Sequence, residues 1–227
     1  MNMQAQNDMH SVDEEWLASY AAGSLSRAKR LLISCQASMK PELASRLSAM
    51  DAVGGAILES AQGEAVSDGF MEKLLSNIDY LPTRANDEIE LLEDQSGESE
   101  SWSPAPLKEF LVRNNIGLNW KKLGFGVSRA TIANDNGEEL YLLKAKPGLK
   151  IPDHTHQGEE WALVLQGGYH VGETAYGPGD LHREDENCTH MPVVDNDGED
   201  CITLVALEGE LKFTNPIMRM LKPVLGI

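Results

Sequence analysis

The chain has 227 residues, 41% of them hydrophobic and 24% charged, the composition of an ordinary globular protein with enough length to bury a real core. A formal net charge of −17 excludes nonspecific nucleic-acid binding, which needs a basic face, and suits either a basic protein partner or simple solubility. Cys35, Cys188 and Cys201 are too few and too scattered for a disulfide framework, no apolar run approaches the roughly 18 residues needed to cross a bilayer, and the polar start MNMQAQNDMHS is no signal peptide, so a cytoplasmic location is expected.

Residues 11 to 82 predict helices. SVDEEWLASYAAG carries an acidic start and Trp16, Leu17 and Tyr20 at helical spacing, and stops at Gly23. Ser24 is expected to cap a second helix ending at Met39, with Leu25, Ala28, Leu31 and Leu32 on one side. Pro41 opens a third, in which Leu43, Leu47, Met50 and Ile57 recur every three to four residues. Its Gly54–Gly55 pair costs about 1 kcal/mol per glycine inside a helix, which predicts close packing against a neighbour. A fourth, shorter helix carries Phe70, Leu74 and Ile78. Four amphipathic helices around one apolar seam make a small bundle with no nucleophile–base pair and no phosphate loop, which reads as a binding module. Its working groups would be exposed helix-face side chains such as Arg27, Lys29 and Arg30.

From Asp87 to Glu100 the chain carries seven acidic residues and no basic one, the signature of a solvated linker, assigned to residues 83–103. Pro104 and Pro106 mark the entry to a second domain, 104–227. After a turn of helix at LKEFLV the pattern becomes short apolar alternations: NWKKLG, SRATIA, EELYLLKAK, WALVLQGGYHV, TAYG, MPVVD, CITLVALEG and LKFT. Turn signals fall at NDNG, PG, GPGD and DNDG. About eight strands with no long helix among them fit a jelly-roll β-barrel. The apolar end NPIMRMLKPVLGI is expected to be packed down, against the bundle or a second subunit.

Within this half, GLKIPDHTHQGEEWALVLQG (Gly148 to Gly167) places His154 and His156 one residue apart and Glu160 four further on. Alternate residues of a strand share a face, so His-x-His aims two imidazoles at one point. Such nitrogen and oxygen ligands suit Zn²⁺, and also Fe²⁺, Mn²⁺ or Ni²⁺. A fourth ligand should come from a later strand, where His182 and His190 compete. His170 reads as an ordinary strand histidine, Glu159 as a surface acid, and Trp161 and Tyr169 as core aromatics. Cys188 and Cys201, near His190, are small core residues or redox-sensitive thiols.

The spacing Gly-x5-His-x-His-x3-Glu-x6-Gly resembles the first cupin motif with every position filled. In cupins a PGD turn precedes one further strand and turn, and the metal histidine begins the strand after that. Gly177–Asp180 resembles that turn, which implies His190 rather than His182 as the fourth ligand beside His154, His156 and Glu160. Asn187 stands where the second motif usually has glycine, a residue that also tolerates the left-handed conformation.

The segments WLASYAAGSLS and SAMDAVGGAILE ahead of this barrel resemble the ChrR-type anti-sigma factors, and the resemblance covers nearly the whole chain. It implies an α + β two-domain fold, with an N-terminal four-helix anti-sigma-like bundle (1–82) followed by a cupin domain. The bundle would grip an extracytoplasmic-function (ECF) sigma factor, and the zinc-binding cupin would serve the response to singlet oxygen or organic hydroperoxide. It implies no catalysis, no direct nucleic acid and no membrane; a homodimer through the cupin domain is a further expectation. One departure matters: the family's helical zinc motif, His-x3-Cys-x2-Cys, falls here on Gln36, Lys40 and Leu43, with His10 alone left near the fourth position. Metal in the helical half is therefore expected to be lost. The competing reading is a metal-dependent cupin enzyme, dioxygenase-like, with a helical assembly domain, because one fold serves many activities.

Overall fold

In the computed structural model the described residues are 10–78, 101–196, 198–214 and 216. Most of the expected acidic linker, the apolar stretch from residue 217 onward and the last residues of the expected fourth helix lie outside them. Among the described residues four helices occupy the first part: α1 (Glu14–Ala21), α2 (Arg27–Met39), α3 (Pro41–Ser60) and α4 (Phe70–Ile78). A fifth, α5 (Ala105–Arg113), follows Pro104. Gly23 ends α1 in the left-handed region, with φ +70°. The cap of α2 is Ser26 rather than Ser24; its hydroxyl accepts from the Lys29 amide at 3.2 Å.

Eleven strands follow: β1 (Lys121–Gly124), β2 (Val127–Asp135), β3 (Glu138–Ala145), β4 (His154–His156), β5 (Glu160–Gln166), β6 (Tyr169–Val171), β7 (Thr174–Tyr176), β8 (Leu181–Glu184), β9 (Val193–Val194), β10 (Cys201–Glu208) and β11 (Leu211–Phe213). A six-stranded sheet runs β1-β2-β3-β10-β5-β8, faced by the two-stranded sheet β11-β4 and the three-stranded sheet β7-β6-β9. This is the cupin-like sandwich. The expected long strand WALVLQGGYHV is broken into β5 and β6 at Gly167–Gly168. A Cβ on Gly167 would stand 2.9 Å from the Asp200 carbonyl oxygen, so the chain can bend there only without a side chain.

The large sheet is buried on both faces. On β10, Ile202, Leu204 and Ala206 point outward while Thr203, Val205 and Leu207 line the interior. The outward set, with Leu140, Leu142, Trp161 and Leu163 from neighbouring strands, forms one continuous core with Leu17, Leu31, Leu32 and Leu43 of the helices and Leu107 of α5. Trp16 meets Trp161 edge-on, with ring centroids 4.8 Å apart.

The bundle therefore does not close on a seam of its own. Leu43 and Leu47 are buried at the start of α3, but Ile57 and Leu58 near its end are 66% and 76% exposed. Phe70 and Leu74 of α4 are also exposed. Among the described residues nothing lies within 4 Å of a Cβ built on Gly54 or Gly55, so the close packing expected there is not made by them. The sequence pattern shows that a face is apolar but not which surface covers it; here the sheet covers one stretch, and among the described residues the rest is exposed.

Lys29, expected on an exposed face, is 7% exposed. Its ammonium lies 2.6 Å from both Glu159 and Glu208, at the sheet. Burial pulls its pKa down, but the hydrogen bonds to Glu159 and Glu208 outweigh this and hold it raised. Glu159 also accepts from the Trp161 indole at 3.2 Å. Arg27 lies over the Phe110 ring of α5 and bonds Asn114.

Candidate metal centre

Strands β4 and β5 and the segment before β9 bring His154, His156, Glu160 and His190 together, with one ligand atom from each lying within 4.8 Å of all the others. His154 and His156 flank Thr155 on β4 and share its inner face. His154 and His190 form an antiparallel bridge, exchanging backbone hydrogen bonds of 3.2 and 3.1 Å, which sets their side chains beside one another. Glu160 opens β5 on the facing sheet. The four residues are each at most 9% exposed.

The donor chemistry fits a cation. The Nδ1 of His154 donates to the Pro152 carbonyl at 2.9 Å, which leaves its Nε2 with a lone pair. That Nε2 stands 2.8 Å from His190 Nε2, and His190 Nδ1 in turn faces the Glu184 carboxylate at 3.5 Å. The Glu160 carboxylate lies 2.8 Å from His156 Nε2 and 3.6 Å from His190 Nε2. Electron pairs converging this closely in a buried place call for a positive charge at their centre.

The ionisation of the group points the same way. Burial, joined by the neighbouring His154, pulls His190 down to about 4, and burial also lowers His154. Both imidazoles are thus neutral and ready to ligate near neutrality. Burial works against charge on Glu160, but the contact with His156 outweighs it and holds the carboxyl below its usual range. His156 is raised by that same carboxylate against the opposing effect of burial.

Behind His190 stands a group that sequence reasoning set aside. His182, on β8, accepts or donates at both ring nitrogens: 2.9 Å to the Tyr169 hydroxyl and 2.7 Å to Glu184. Its hydrogen bond, the largest influence on Glu184, draws that carboxyl down to about 2. Cys188 also donates to Glu184, and this bond pushes the thiol up to about 11, so the thiol stays protonated and a weak nucleophile. The available signal was the His-x-Glu pair in LHRE, a segment that apolar alternation does not mark as a strand and that only the cupin likeness places between two turns. His170 pairs with Asp195 at 3.1 Å on the surface, away from this cluster. Asn187 is not in the left-handed region; its amide donates instead to Asp185 at 2.9 Å.

In the helical half, Gln36, Lys40 and His10 hold no such cluster. Gln36 is fully buried, and its amide nitrogen donates to the carbonyls of His10 at 2.8 Å and Gly179 at 3.0 Å. Lys40 pairs with Asp180, Leu43 is buried in the core, and His10 stacks on Tyr176 with ring centroids 4.6 Å apart.

A family model for the ChrR cupin-like domain matches residues 109–209. The anti-sigma-E factor ChrR of Cereibacter sphaeroides is 31% identical over 218 residues, spanning 96% of this chain and 98% of that protein. The crystal structure of Rhodobacter sphaeroides SigE in complex with the anti-sigma ChrR superimposes with a TM-score of 0.70 at 33% identity, covering 88% of this chain and 98% of the matched chain.

Proposed function

This chain belongs to the family of ChrR-type anti-sigma factors, and on that premise we propose that it sequesters an ECF sigma factor through its helical half. It is a regulator rather than an enzyme. The observation that carries the reading is the length of the match, which runs through the helices as well as the barrel. A cupin enzyme with an unrelated assembly domain would share the barrel alone.

The bare faces of α3 and α4 support the reading. Val53, Ile57 and Leu58 on one helix and Phe70, Met71, Leu74 and Leu75 on the other are between 44% and 76% exposed. Large apolar side chains left exposed in such number along two successive helices are characteristic of a protein-binding site. Residues 1–82 act as the gripping domain, 83–103 as the linker and 104–227 as the cupin. Among the described residues no helix is long and apolar enough to cross a membrane, and the cytoplasm, where sigma factors work, is the location consistent with the proposal.

In the cupin, His154, His156, Glu160 and His190 hold one zinc ion. Bound there, the metal would tie β4, β5 and the His190 segment to one another, and its loss or alteration under singlet oxygen or organic hydroperoxide would end the inhibition. Co-expression of the intact protein with an ECF sigma factor of its own organism tests the proposal. The two are expected to purify together at one to one, and Ile57→Asp with Leu74→Asp should abolish capture without moving the thermal midpoint. Failure of the intact chain to bind or inhibit any such factor would remove the reading.

A further inference from the structure

The interior of the barrel is open beyond the His and Glu cluster. A cavity of about 690 Å³ extends from His154, Glu160 and His190 between the sheets, a volume in the range of small-molecule sites. Its walls are mostly apolar, with Val127, Leu143, Leu149, Val205, Leu211 and Phe213 among them. Its polar lining includes the candidate metal cluster, Tyr141 and the Arg129–Glu139 ion pair, with Arg129 lying over the Tyr141 ring at 3.9 Å, together with Lys150 and Glu210.

A separate observation marks the rim. In the β1–β2 turn, Phe125 sits at φ +49° between Gly124 and Gly126, and its side chain is 80% exposed. The left-handed region costs a non-glycine residue roughly 1–2 kcal/mol, and an exposed phenyl ring gains nothing from burial to offset it. Phe125 lines the cavity, so the turn holds an apolar ring at the edge of an apolar chamber. Strain of this sort persists where it serves a site.

We propose that the barrel cavity is a receptor for a small amphipathic monoanion, a medium-chain carboxylate in chemical class, whose head faces the metal cluster and whose apolar tail runs outward past Phe125. The head preference rests on the metal assignment above: a divalent ion held by three imidazoles and the single carboxylate of Glu160 keeps affinity for one more oxygen anion, while Glu184, whose carboxylate faces His190 Nδ1 at 3.5 Å, sits one residue further back and Arg129 and Glu139 cancel one another. The tail preference rests on the walls alone.

Titration calorimetry of the zinc-loaded intact protein with octanoate, acetate and 1-octanol tests this, with zinc measured in each preparation. Octanoate should bind at least about tenfold more tightly than either acetate or 1-octanol, since each lacks one of the two contacts. Phe125→Ser, an exposed change that leaves the core intact, should weaken octanoate by about three- to tenfold. Val127→Trp, which fills the chamber near its rim, should abolish its binding. Octanoate binding no tighter than acetate, or tight binding indifferent to both substitutions, overturns the proposal. A protein that takes up no zinc sinks the metal assignment separately. In that case octanoate and 1-octanol should bind alike and remain sensitive to Val127→Trp, and absence of that sensitivity overturns the cavity as well.

Discussion

The Lys40 ammonium at the end of α2 closes on the carboxylate of Asp180, in the turn that leads into β8. Asp180 also accepts from the Gly177 amide at 2.9 Å and faces His10 Nδ1 at 3.4 Å. Beside it, Gln36 reaches the Gly179 carbonyl. The positions where the family's helical zinc motif would fall thus take part in a polar junction between the helices and the barrel. Lys40→Met and Asp180→Asn should each destabilise the protein, and a double-mutant cycle in urea should return a coupling of about 1–2 kcal/mol. Additive effects would mean that the pair does not hold the junction.

The shared core has a consequence for dissection. Residues 1–82 produced alone would expose Leu17, Leu31 and Leu32, which the sheet covers in the intact chain. Such a fragment should show a broad, low-temperature melt and bind an apolar dye, whereas the intact protein melts cooperatively. Within the intact chain, Leu32→Ala should cost about 2–5 kcal/mol. A fragment that melts as sharply as the whole would show that the bundle closes by itself.

Removing one nitrogen from the cluster should release the metal. His154→Ala is expected to lower zinc from about one equivalent to under a tenth, while Lys29→Met, on the far side of the sheet, should leave zinc unchanged; mass spectrometry of the purified proteins settles the matter. Equal zinc in wild type and His154→Ala would place the ion elsewhere.

Acid stability should report on Glu184. Its carboxyl is drawn from the ordinary 4.5 down to about 2, chiefly by the hydrogen bond from His182. A depressed carboxyl adds stability that is fully present above its unfolded value and is lost as pH falls through its folded value. In metal-free protein, the urea midpoints of wild type and Glu184→Gln should therefore differ most above pH about 4.5 and draw together toward pH about 2. A gap constant across that window would assign the group no such role.

Much of the candidate site was legible in the sequence because two of its histidines share one strand. His-x-His needs a period of two to aim both rings inward, and the spacing to Glu160 spans one turn into the next strand, so short-range geometry decides the placement. His190 was reached through its likeness to a motif, since thirty residues and three strands separate it from Glu160. What stayed hidden was set by packing between distant segments. LHRE alternates too briefly to announce a strand by itself, and the motif likeness that puts one there gives no reason to set His182 and Glu184 behind His190. Lys29 looks like any charged helix residue until Glu159 and Glu208 come up beneath it. Phe125 gave no signal, because neither its backbone conformation nor the chamber behind it can be read from flanking glycines alone.

Strand β10 is a partition one side chain deep on each face. Val205 looks into the chamber, while its neighbours Leu204 and Ala206 press on the helices. Close-packed interiors transmit displacement instead of absorbing it. A side chain at 205 too bulky for the chamber can find room only by moving the backbone toward Leu31 and Leu32, so the barrel's contents and the seating of the helices are two readings of the same wall.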